Sequence, residues 1–399
     1  MRRAVKNLSE IGSTALDLIS LRYPPFVYGM DMRGLIPVFC FHGVEPESFE
    51  AMLRFLGENH YRSLHADEYY DVLTGARPSP ERAVVLTFDD GWGSLWSLGF
   101  PMLKKHDAKV VVFIPPGRIE SHGSVGLNLD DLEAGRCPES DVLGRDRSER
   151  PLLGWEEIAE MHESGLVDFQ SHSHSHSLVY RSAKIVDFAH PRVLESWNFL
   201  ELPCREPQAL AGTKPLIRPG EPLFQTATRL SDVPRLLIDP RIADACSACV
   251  ESGGSDFFRR PSWRAELNRV AGKYLASGSE WPRESLEEQR RAIRHEVTAS
   301  KTAIEEMLPG KVVRHLAYPW HEAGSIAVSE SKDAGYASNF WGKVHGRYYT
   351  TAPADPFQIA RVGGDFLFRL PGKGRLGLAR ILLRKALRRA RTGSPYLTH

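Results

Sequence analysis

Short runs of large apolar residues alternate along the chain with longer segments whose apolar residues recur at helical spacing. The runs predict strands that are covered on both faces. Between them, segments such as the one carrying Phe49, Met52 and Leu56 predict amphipathic helices. We predict strands at 35–44, 84–88, 109–115, 166–170, 312–320, 336–340 and 358–362. The alternation of strands and helices predicts an α/β fold.

Two adjacent carboxylates, Asp89 and Asp90, end the second of these runs and are followed by Gly91. Ligand sites of α/β sheets lie at the carboxyl ends of strands. Two neighbouring acids are costly there unless a positive group binds them, and the glycine allows a turn that aims the two side chains differently. One carboxylate can then hold a metal while the other accepts a proton. Taken alone, the stretch is equally well interpreted as an acidic turn that caps the next helix.

A histidine-rich tract covers residues 171–177. If the tract is extended, His172 and His176 lie about 13 Å apart, which is too far to share an ion. If it turns helical, they lie about 6 Å apart on one face, and His174 points away. Two imidazoles and one carboxylate form an open zinc site with water as the fourth ligand. A solvated loop is the alternative for the tract by itself, but the paired carboxylates favour a metal site.

Together these two stretches resemble the polysaccharide deacetylases of carbohydrate esterase family 4, the NodB-homology enzymes. Residues 87–91 read T-F-D-D-G, the first motif of that family, and 172–176 fit its second motif, H-[S/T]-x-x-H. The resemblance implies a deformed (β/α) barrel of seven to eight strands. It also implies a divalent metal, most often Zn²⁺, held by Asp90, His172 and His176, with Asp89 as the general base.

The implied function is metal-dependent hydrolysis of the N-acetyl group of an amino sugar, in a polysaccharide or a lipid-linked glycan, with release of acetate. Two alternatives stay open. One is a non-catalytic glycan-binding protein of the same fold, and the other is an amidohydrolase that acts on a small non-sugar amide. The first alternative is raised by a departure from the family pattern in the third motif.

That motif, R-x-P-[Y/W], is matched up to Trp320, except that Ala317 stands in place of the arginine. The family arginine positions the base, so we expect another arginine to reach the site, and Arg361 is the candidate. Pro319 and Trp320 match the motif and are expected to wall the sugar pocket. A backbone N–H near Tyr318 is expected to help hold the oxyanion.

His42 ends the first predicted strand in the sequence Cys40-Phe41-His42. This sequence is similar to the family's L-x-H motif, which permuted members carry on an N-terminal strand. The similarity implies that His42 is the general acid, and an ordinary structural histidine is the alternative. Trp92 is expected either to line the sugar-binding face or to pack under the next helix. We interpret His321 as an exposed turn residue rather than an extra pocket group.

The pattern divides the 399 residues into three parts. Residues 1–34 form a leader with one weak helix, 35–365 form the deacetylase-like catalytic domain, and 366–399 form a basic amphipathic tail. Within the catalytic domain, residues 178–283 are rich in proline and lack a strong period, so we predict a long inserted subdomain. Substrate contact and structural elaboration or oligomer contact are both open as its role.

Composition narrows the possible partners and compartment. The formal net charge is +1, so the chain as a whole gives no case for nucleic-acid binding. No apolar run approaches the roughly 18 residues of a membrane span, and the N-terminal charges are not followed by the apolar region of a signal peptide. The five scattered cysteines do not suggest a disulfide framework. We therefore expect a cytoplasmic protein.

The basic tail, residues 366–399, adds a possible membrane contact to the expected cytoplasmic location. Nine lysine and arginine residues and no acidic residue lie between positions 369 and 391. Leu376, Ala379, Leu383, Leu387 and Ala390 fall on one face of a helix there. A basic amphipathic helix suits the anionic inner face of a membrane, which would make the protein peripheral. A helix docked on the barrel with its basic side in solvent is the alternative.

Overall fold

The fold is built on one parallel sheet. A computed structural model describes residues 16–32, 34–196, 200, 217–275 and 281–392. Its strands are β1 Val38–Phe41, β2 Arg62–Ser63, β3 Ala83–Asp89, β4 Val110–Ile114, β5 Val167–Ser171, β6 Leu178–Phe188, β7 Pro222–Thr228, β8 His315–Ala317, β9 Ser338–Trp341, β10 Ile359–Ala360 and β11 Val362–Gly363. Eight of them pair in the order β10-β9-β8-β5-β4-β3-β1-β11, and every pairing along this path is parallel. β2 joins the side of β3.

Helices connect the strands and cover the sheet. They are α1 Pro25–Tyr28, α2 Pro46–Glu58, α3 Ala66–Leu73, α4 Phe100–His106, α5 Leu129–Glu133, α6 Glu139–Leu143, α7 Trp155–Glu163, α8 Pro191–Ser196, α9 Arg241–Gly253, α10 Trp263–Leu275, α11 Leu286–Met307, α12 Ser325–Asp333 and α13 Leu378–Thr392. α11 begins at Ser285, whose side chain accepts a hydrogen bond from the N–H of Glu288 in a capping box. Its buried face includes Ile293, Val297 and Ile304, as its helical period predicts.

The two ends of the sheet meet at a single residue. β10 pairs with β9 at one end of the strand order, and β11 pairs with β1 at the other. Only Arg361 separates β10 from β11 along the chain. The sheet is therefore nearly closed into a barrel, and its seam lies at Arg361. This confirms the prediction of a deformed (β/α) barrel of seven to eight strands.

The alternation of side chains along β3 explains where its terminal acid points. All seven residues of the strand are buried. Val84, Leu86 and Phe88 pack in the cluster that includes α2, α4, α7 and α11, whereas Ala83 and Val85 pack in a second cluster with residues of other strands and of α3. Because successive side chains of a strand point to opposite faces, the odd-numbered row faces the barrel interior. Asp89 continues that row.

The range predicted as an inserted subdomain has its own small core. In its described parts, β6 and β7 form an antiparallel pair, and α9 and α10 pack against it. Phe188, Phe224, Ile242 and Leu267 are buried together in this cluster. The cluster lies in sequence between β5 and α11, both of which belong to the barrel.

The later part of the predicted leader packs on the barrel. Residues 1–15 lie outside the described part of the chain. Asp17 is buried and accepts hydrogen bonds from Lys343 and Tyr348, and Tyr23 stacks on Tyr348 with ring centroids 4.5 Å apart. Across the described residues, no helix is both long and apolar enough to cross a membrane.

Gly364 tests the packing at the seam. A Cβ at this position would lie 1.9 Å from the Phe41 ring, which itself stacks on Phe88. Gly364→Ala is therefore expected to lower the free energy of unfolding by about 1–3 kcal/mol, the usual cost of overpacking. Chemical denaturation of purified protein measures it.

Gly57, in α2, supplies the matched control. A Cβ there would meet no atom within 4 Å, so Gly57→Ala is expected to leave stability unchanged or to raise it by up to about 1 kcal/mol. Equal effects of the two substitutions would contradict the packing described at the seam.

Candidate active site

The site lies at the carboxyl edge of the sheet. Asp89 ends β3, His42 follows β1, and the histidine tract follows β5. Asp90 and Gly91 both have left-handed backbone conformations, with φ of 72° and 74°. This turn sends the two adjacent carboxylates in different directions, which is the arrangement predicted from the glycine.

Asp90 faces the two histidines of the second motif. Its Oδ1 lies 3.4 Å from Nε2 of His172 and 3.3 Å from Nε2 of His176, and all three residues are buried. These distances are longer than a normal hydrogen bond, and Oδ1 has no hydrogen-bond partner among the described residues. Burial raises the pKa of Asp90, but the facing imidazoles lower it, and the result lies well below its usual value.

A buried oxygen without a donor, facing two imidazole nitrogens, is the donor set of an open divalent-metal site. The three ligand atoms lie within 4.8 Å of one another. Nδ1 of His172 lies 2.9 Å from the carbonyl oxygen of Ala317. This carbonyl accepts a hydrogen bond from Nδ1–H, which leaves the Nε2 lone pair directed at Asp90. The residues present therefore fit a metal ion.

The histidine tract is neither extended nor helical. Ser173 and His176 have φ of 60° and 51°, and these two left-handed residues fold the tract into a compact turn. The rings of His172 and His176 come to 5.1 Å of each other. The prediction that the pair is brought together is confirmed, but the helical turn offered as its cause is wrong. Positive φ outside glycine is uncommon and persists where other contacts impose it.

Glu296, on α11, imposes this turn. Its carboxylate accepts hydrogen bonds from the N–H groups of His174 and Ser175, at 3.1 and 2.9 Å, and from the Ser175 hydroxyl. Glu296 is only 2% exposed. Arg118 adds a donor from the other side, with Nε 2.8 Å from the Ser175 carbonyl oxygen. Three backbone groups of the tract are thus fixed by two buried charged side chains.

Trp92 fixes the other end of the Asp90 carboxylate. Its indole N–H donates to Oδ2 of Asp90 at 3.1 Å, and the half-buried ring packs against the core. The structure thus gives Trp92 a part in orienting a candidate metal ligand. The expected contact of Trp92 with a sugar stays a prediction.

Asp89 is held by Arg361 in a bidentate ion pair. The guanidinium nitrogens lie 2.6 Å from Oδ1 and 2.8 Å from Oδ2, and neither residue is more than 2% exposed. Burial raises the pKa of Asp89, but Arg361, with His172 and His42, outweighs it, and the pKa lies far below its usual value. Asp89 is therefore ionised at neutral pH and fixed in orientation. Arg361 reaches the base, as expected from the absence of an arginine at Ala317.

His42 is half-buried at the same edge and interacts electrostatically with both Asp89 and Asp90. Pro319 is buried, and the Trp320 ring lies 4.1 Å from the ring of His176. The structure therefore brings all of these predicted residues to one region.

Two expectations about the third motif need correction. The N–H of Tyr318 donates to the carbonyl oxygen of Phe340, and its buried hydroxyl accepts from Asn339. Tyr318 itself therefore offers a substrate neither an N–H nor a ring, and an oxyanion donor near it stays a prediction. His321 is not an exposed turn residue, because it is half-buried with Nδ1 3.0 Å from a guanidinium nitrogen of Arg361. Left-handed φ values at Trp320 and His321 turn both rings toward the site.

A second group of ligand-type atoms lies beside the first. Cys40, Asp89 and His321 offer atoms within 4.8 Å of one another. Arg361 already occupies both oxygens of Asp89, and its positive charge opposes a cation there. Burial raises the pKa of the Cys40 thiol, so it is protonated at neutral pH and is a poor metal ligand.

Comparison with known proteins identifies the domain. Residues 76–191 match the family model described as polysaccharide deacetylase. The chain contains a polysaccharide deacetylase domain. The matched range includes both sequence motifs and the residues of the candidate metal site.

Relatives of this polysaccharide deacetylase domain are distant. The chain is 27% identical over 134 residues to a poly-beta-1,6-N-acetyl-D-glucosamine N-deacetylase of Escherichia coli (strain K12), a match that covers 33% of this chain and 18% of that protein. It is 25% identical over 133 residues to the protein of the same name from Staphylococcus epidermidis, covering 33% and 38%. In both cases the chain spans much less than two thirds of the relative's length.

Among solved structures, the deacetylase domain of BpsB from Bordetella bronchiseptica is similar with a TM-score of 0.48. The sequence identity is 18%, and the match covers 82% of this chain and 95% of that one.

Sequence reasoning missed Glu296, although a signal was present. Glu296 lies between Ile293 and Val297 on the apolar face of α11, where an acid is costly unless it is hydrogen-bonded. An acid on the buried face of an amphipathic helix therefore indicates a buried polar contact. Which segment it contacts is not encoded locally, because the histidine tract is more than a hundred residues away.

Glu296→Ala is expected to weaken zinc binding by about 10- to 100-fold, the usual cost of losing a group that orients metal ligands. The reason is that the N–H groups of His174 and Ser175 lose their acceptor. Glu296→Gln keeps one acceptor oxygen, so its zinc affinity is expected to lie between those of Glu296→Ala and the unmodified protein. Competition with a chromophoric chelator measures the affinity.

Glu330→Gln is the matched control, because Glu330 is also a buried acid but pairs with Arg294 on α11. It is expected to keep the zinc affinity of the unmodified protein. Unchanged zinc affinity in Glu296→Ala would show that Glu296 does not set the turn.

Proposed function

We propose that the protein is a metal-dependent N-deacetylase that hydrolyses the N-acetyl group of an amino sugar in a glycan and releases acetate. The observation that carries the proposal is the pairing of two adjacent carboxylates with different partners. Asp90 faces His172 and His176, whereas Asp89 is locked by Arg361. One acid is thus arranged to bind a cation, and its neighbour is arranged to stay ionised beside it.

Asp90, His172 and His176 would hold the metal, and Zn²⁺ suits two imidazoles and one carboxylate. When bound, such an ion lowers the pKa of a water ligand toward about 7 and polarises the amide carbonyl. Trp92 keeps Oδ2 of Asp90 engaged, so that Oδ1 remains directed at the histidines. The carbonyl of Ala317 fixes the ring of His172 in the same way.

Asp89 acts as the general base and accepts a proton from the attacking water. Arg361 keeps the carboxylate ionised and oriented before the reaction. As the water oxygen bonds to the acetyl carbon and the carbon–nitrogen bond breaks, His42 donates a proton to the departing nitrogen. The products are acetate and the free amino sugar. Trp320 and Pro319 form a wall beside His176 against which a sugar ring can pack.

The substrate class follows from the same site and from its relatives. Both curated relatives described above are named for poly-beta-1,6-N-acetyl-D-glucosamine. We therefore take a glycan containing N-acetylglucosamine as the candidate substrate and its oligomers as the assay substrate.

Asp89→Asn is expected to retain bound zinc and to lose about 10²- to 10⁴-fold in turnover, since it removes the base but not a metal ligand. Acetate release from N-acetylglucosamine oligomers measures turnover, and elemental analysis measures zinc. Asp168→Asn is the control, because Asp168 is a buried acid near the amino end of β5 that contacts Lys311 and Gln170. It should release acetate at the normal rate.

Normal turnover in Asp89→Asn would refute the assignment of the base. Bound zinc without acetate release from any N-acetyl sugar oligomer, even in the unmodified protein, would favour a glycan-binding protein instead.

Arg361→Met is expected to move the acid limb of the pH profile of kcat/KM to higher pH. Without the guanidinium, burial is opposed only by the charges of His172 and His42, and the pKa of Asp89 rises. The base is then protonated, and activity is lost, at a higher pH as the solution is acidified. Arg361→Lys, which keeps one positive charge, should shift the limb less. An unchanged acid limb in folded Arg361→Met would contradict the role given to this ion pair.

A further inference from the structure

Helix α13 turns its apolar stripe toward solvent. The stripe predicted for this segment includes Leu383 and Leu387, and these two side chains are 59% and 52% exposed. The helix is attached to the barrel by a different residue, Ile381, which is 2% exposed. If the helix were docked by its apolar stripe, the leucines would be buried. The structure therefore separates the residue that attaches the helix from the leucines that face outward.

The exposed leucines are surrounded by positive charge. Arg380 and Arg384 are exposed on the same helix, and the nine basic residues between positions 369 and 391 are accompanied by no acidic residue. Asp365, which precedes that range, lies 3.9 Å from the Lys385 ammonium, and Lys385 also lies over the ring of Phe366. The net charge of the whole chain is only +1, so the positive charge is concentrated at this element.

The helix is fixed near the rim of the catalytic site. Two of its cations lie over rings of the 3₁₀ segment Gly364–Arg369. Lys385 lies over Phe366, and Arg384 lies over Phe368. This segment directly follows β11 at the carboxyl edge of the sheet, where Gly364 packs against Phe41 of β1. His42 is the next residue after Phe41. The same short segment therefore supports α13 and packs against Phe41, the residue before the candidate general acid.

The N-terminal segment that contacts Phe366 carries exposed apolar residues of its own. Leu16, Ile19 and Leu21 are 65%, 79% and 58% exposed. Their segment is anchored by Tyr23, whose ring lies 4.6 Å from that of Phe366. Phe366 thus contacts both the N-terminal segment and α13.

We propose that the exposed face of α13, formed by Arg380, Leu383, Arg384 and Leu387, binds the surface of an anionic lipid membrane. Arginines attract anionic headgroups, and leucines enter the boundary between headgroups and acyl chains. A soluble polyanion would satisfy the arginines alone and would leave the leucines in water. The combination of both side-chain types favours lipid.

The proposal also narrows the substrate. Because α13 is fixed at the rim, binding to a membrane brings the catalytic edge close to the lipid surface. The substrate is then a glycan presented at that surface, such as a lipid-linked one. This second step rests on the deacetylation proposed above, whereas lipid binding does not.

The experiment uses the full chain with phosphatidylcholine vesicles that do or do not contain phosphatidylglycerol, at low salt, with co-sedimentation as the readout. We expect binding to the anionic vesicles and not to the neutral ones. Arg380→Glu/Arg384→Glu and Leu383→Ser/Leu387→Ser are each expected to weaken binding by at least about tenfold. The control Arg241→Glu/Arg269→Glu changes the charge equally at exposed positions of the inserted range and should bind normally.

Failure of the full chain to bind anionic vesicles overturns the proposal. Normal vesicle binding by either α13 variant also overturns it. If heparin abolishes vesicle binding and the Leu383→Ser/Leu387→Ser variant binds normally, the face is a polyanion site instead. All variants should release acetate from soluble oligomers at the normal rate. Vesicle binding without acetate release from any variant would refute the proposed function and leave the lipid surface standing.

Discussion

The buried ion pair between Arg361 and Asp89 is the interaction on which the rest of the site depends. Removing two charges from water is costly, and the cost is offset only when the geometry is good and the remaining donors are used. Here two short hydrogen bonds join the guanidinium to the carboxylate, and further donors reach Thr87 and His321. Because Arg361 is also the residue between β10 and β11, the closure of the barrel and the position of the proposed base are set together.

This ion pair also divides the work of two adjacent acids. Without Arg361, both carboxylates would compete for the same cation and would repel each other. With it, the charge of Asp89 is balanced within the protein, and Asp90 is the acid left facing the two histidines. The backbone supports the division, because left-handed residues on either side, Asp90 and His176, hold the ligand atoms at one point. Glu296 and Arg118 keep the strained tract in place.

The sequence was sufficient for the parts of the site that depend on strand ends. A buried run that ends in Asp89 and Asp90, and another that leads to His172, share an edge in any parallel sheet, so their meeting could be predicted. Arg361 could be proposed because the family pattern requires an arginine that Ala317 does not supply. The barrel followed from the same resemblance and from the alternation of strands and helices.

The parts that could not be predicted depend on contacts between distant segments. Local preference gives no reason for Ser173 and His176 to be left-handed, and the turn exists because Glu296 accepts its N–H groups. The neighbours of His321 predict an exposed turn, yet the backbone conformation of Trp320 brings the His321 ring next to Arg361. The N–H of Tyr318 itself donates to the carbonyl oxygen of Phe340, a pairing that only the sheet register reveals.

Anomalous diffraction at the zinc edge, from crystals of the protein grown with zinc, tests the central claim most directly. The account predicts one strong site, with the ion about 2.0–2.2 Å from Asp90, His172 and His176, and with Asp89 still paired to Arg361. Zinc bound instead among Cys40, Asp89 and His321, or Asp89 released from Arg361 to join the metal, would contradict it.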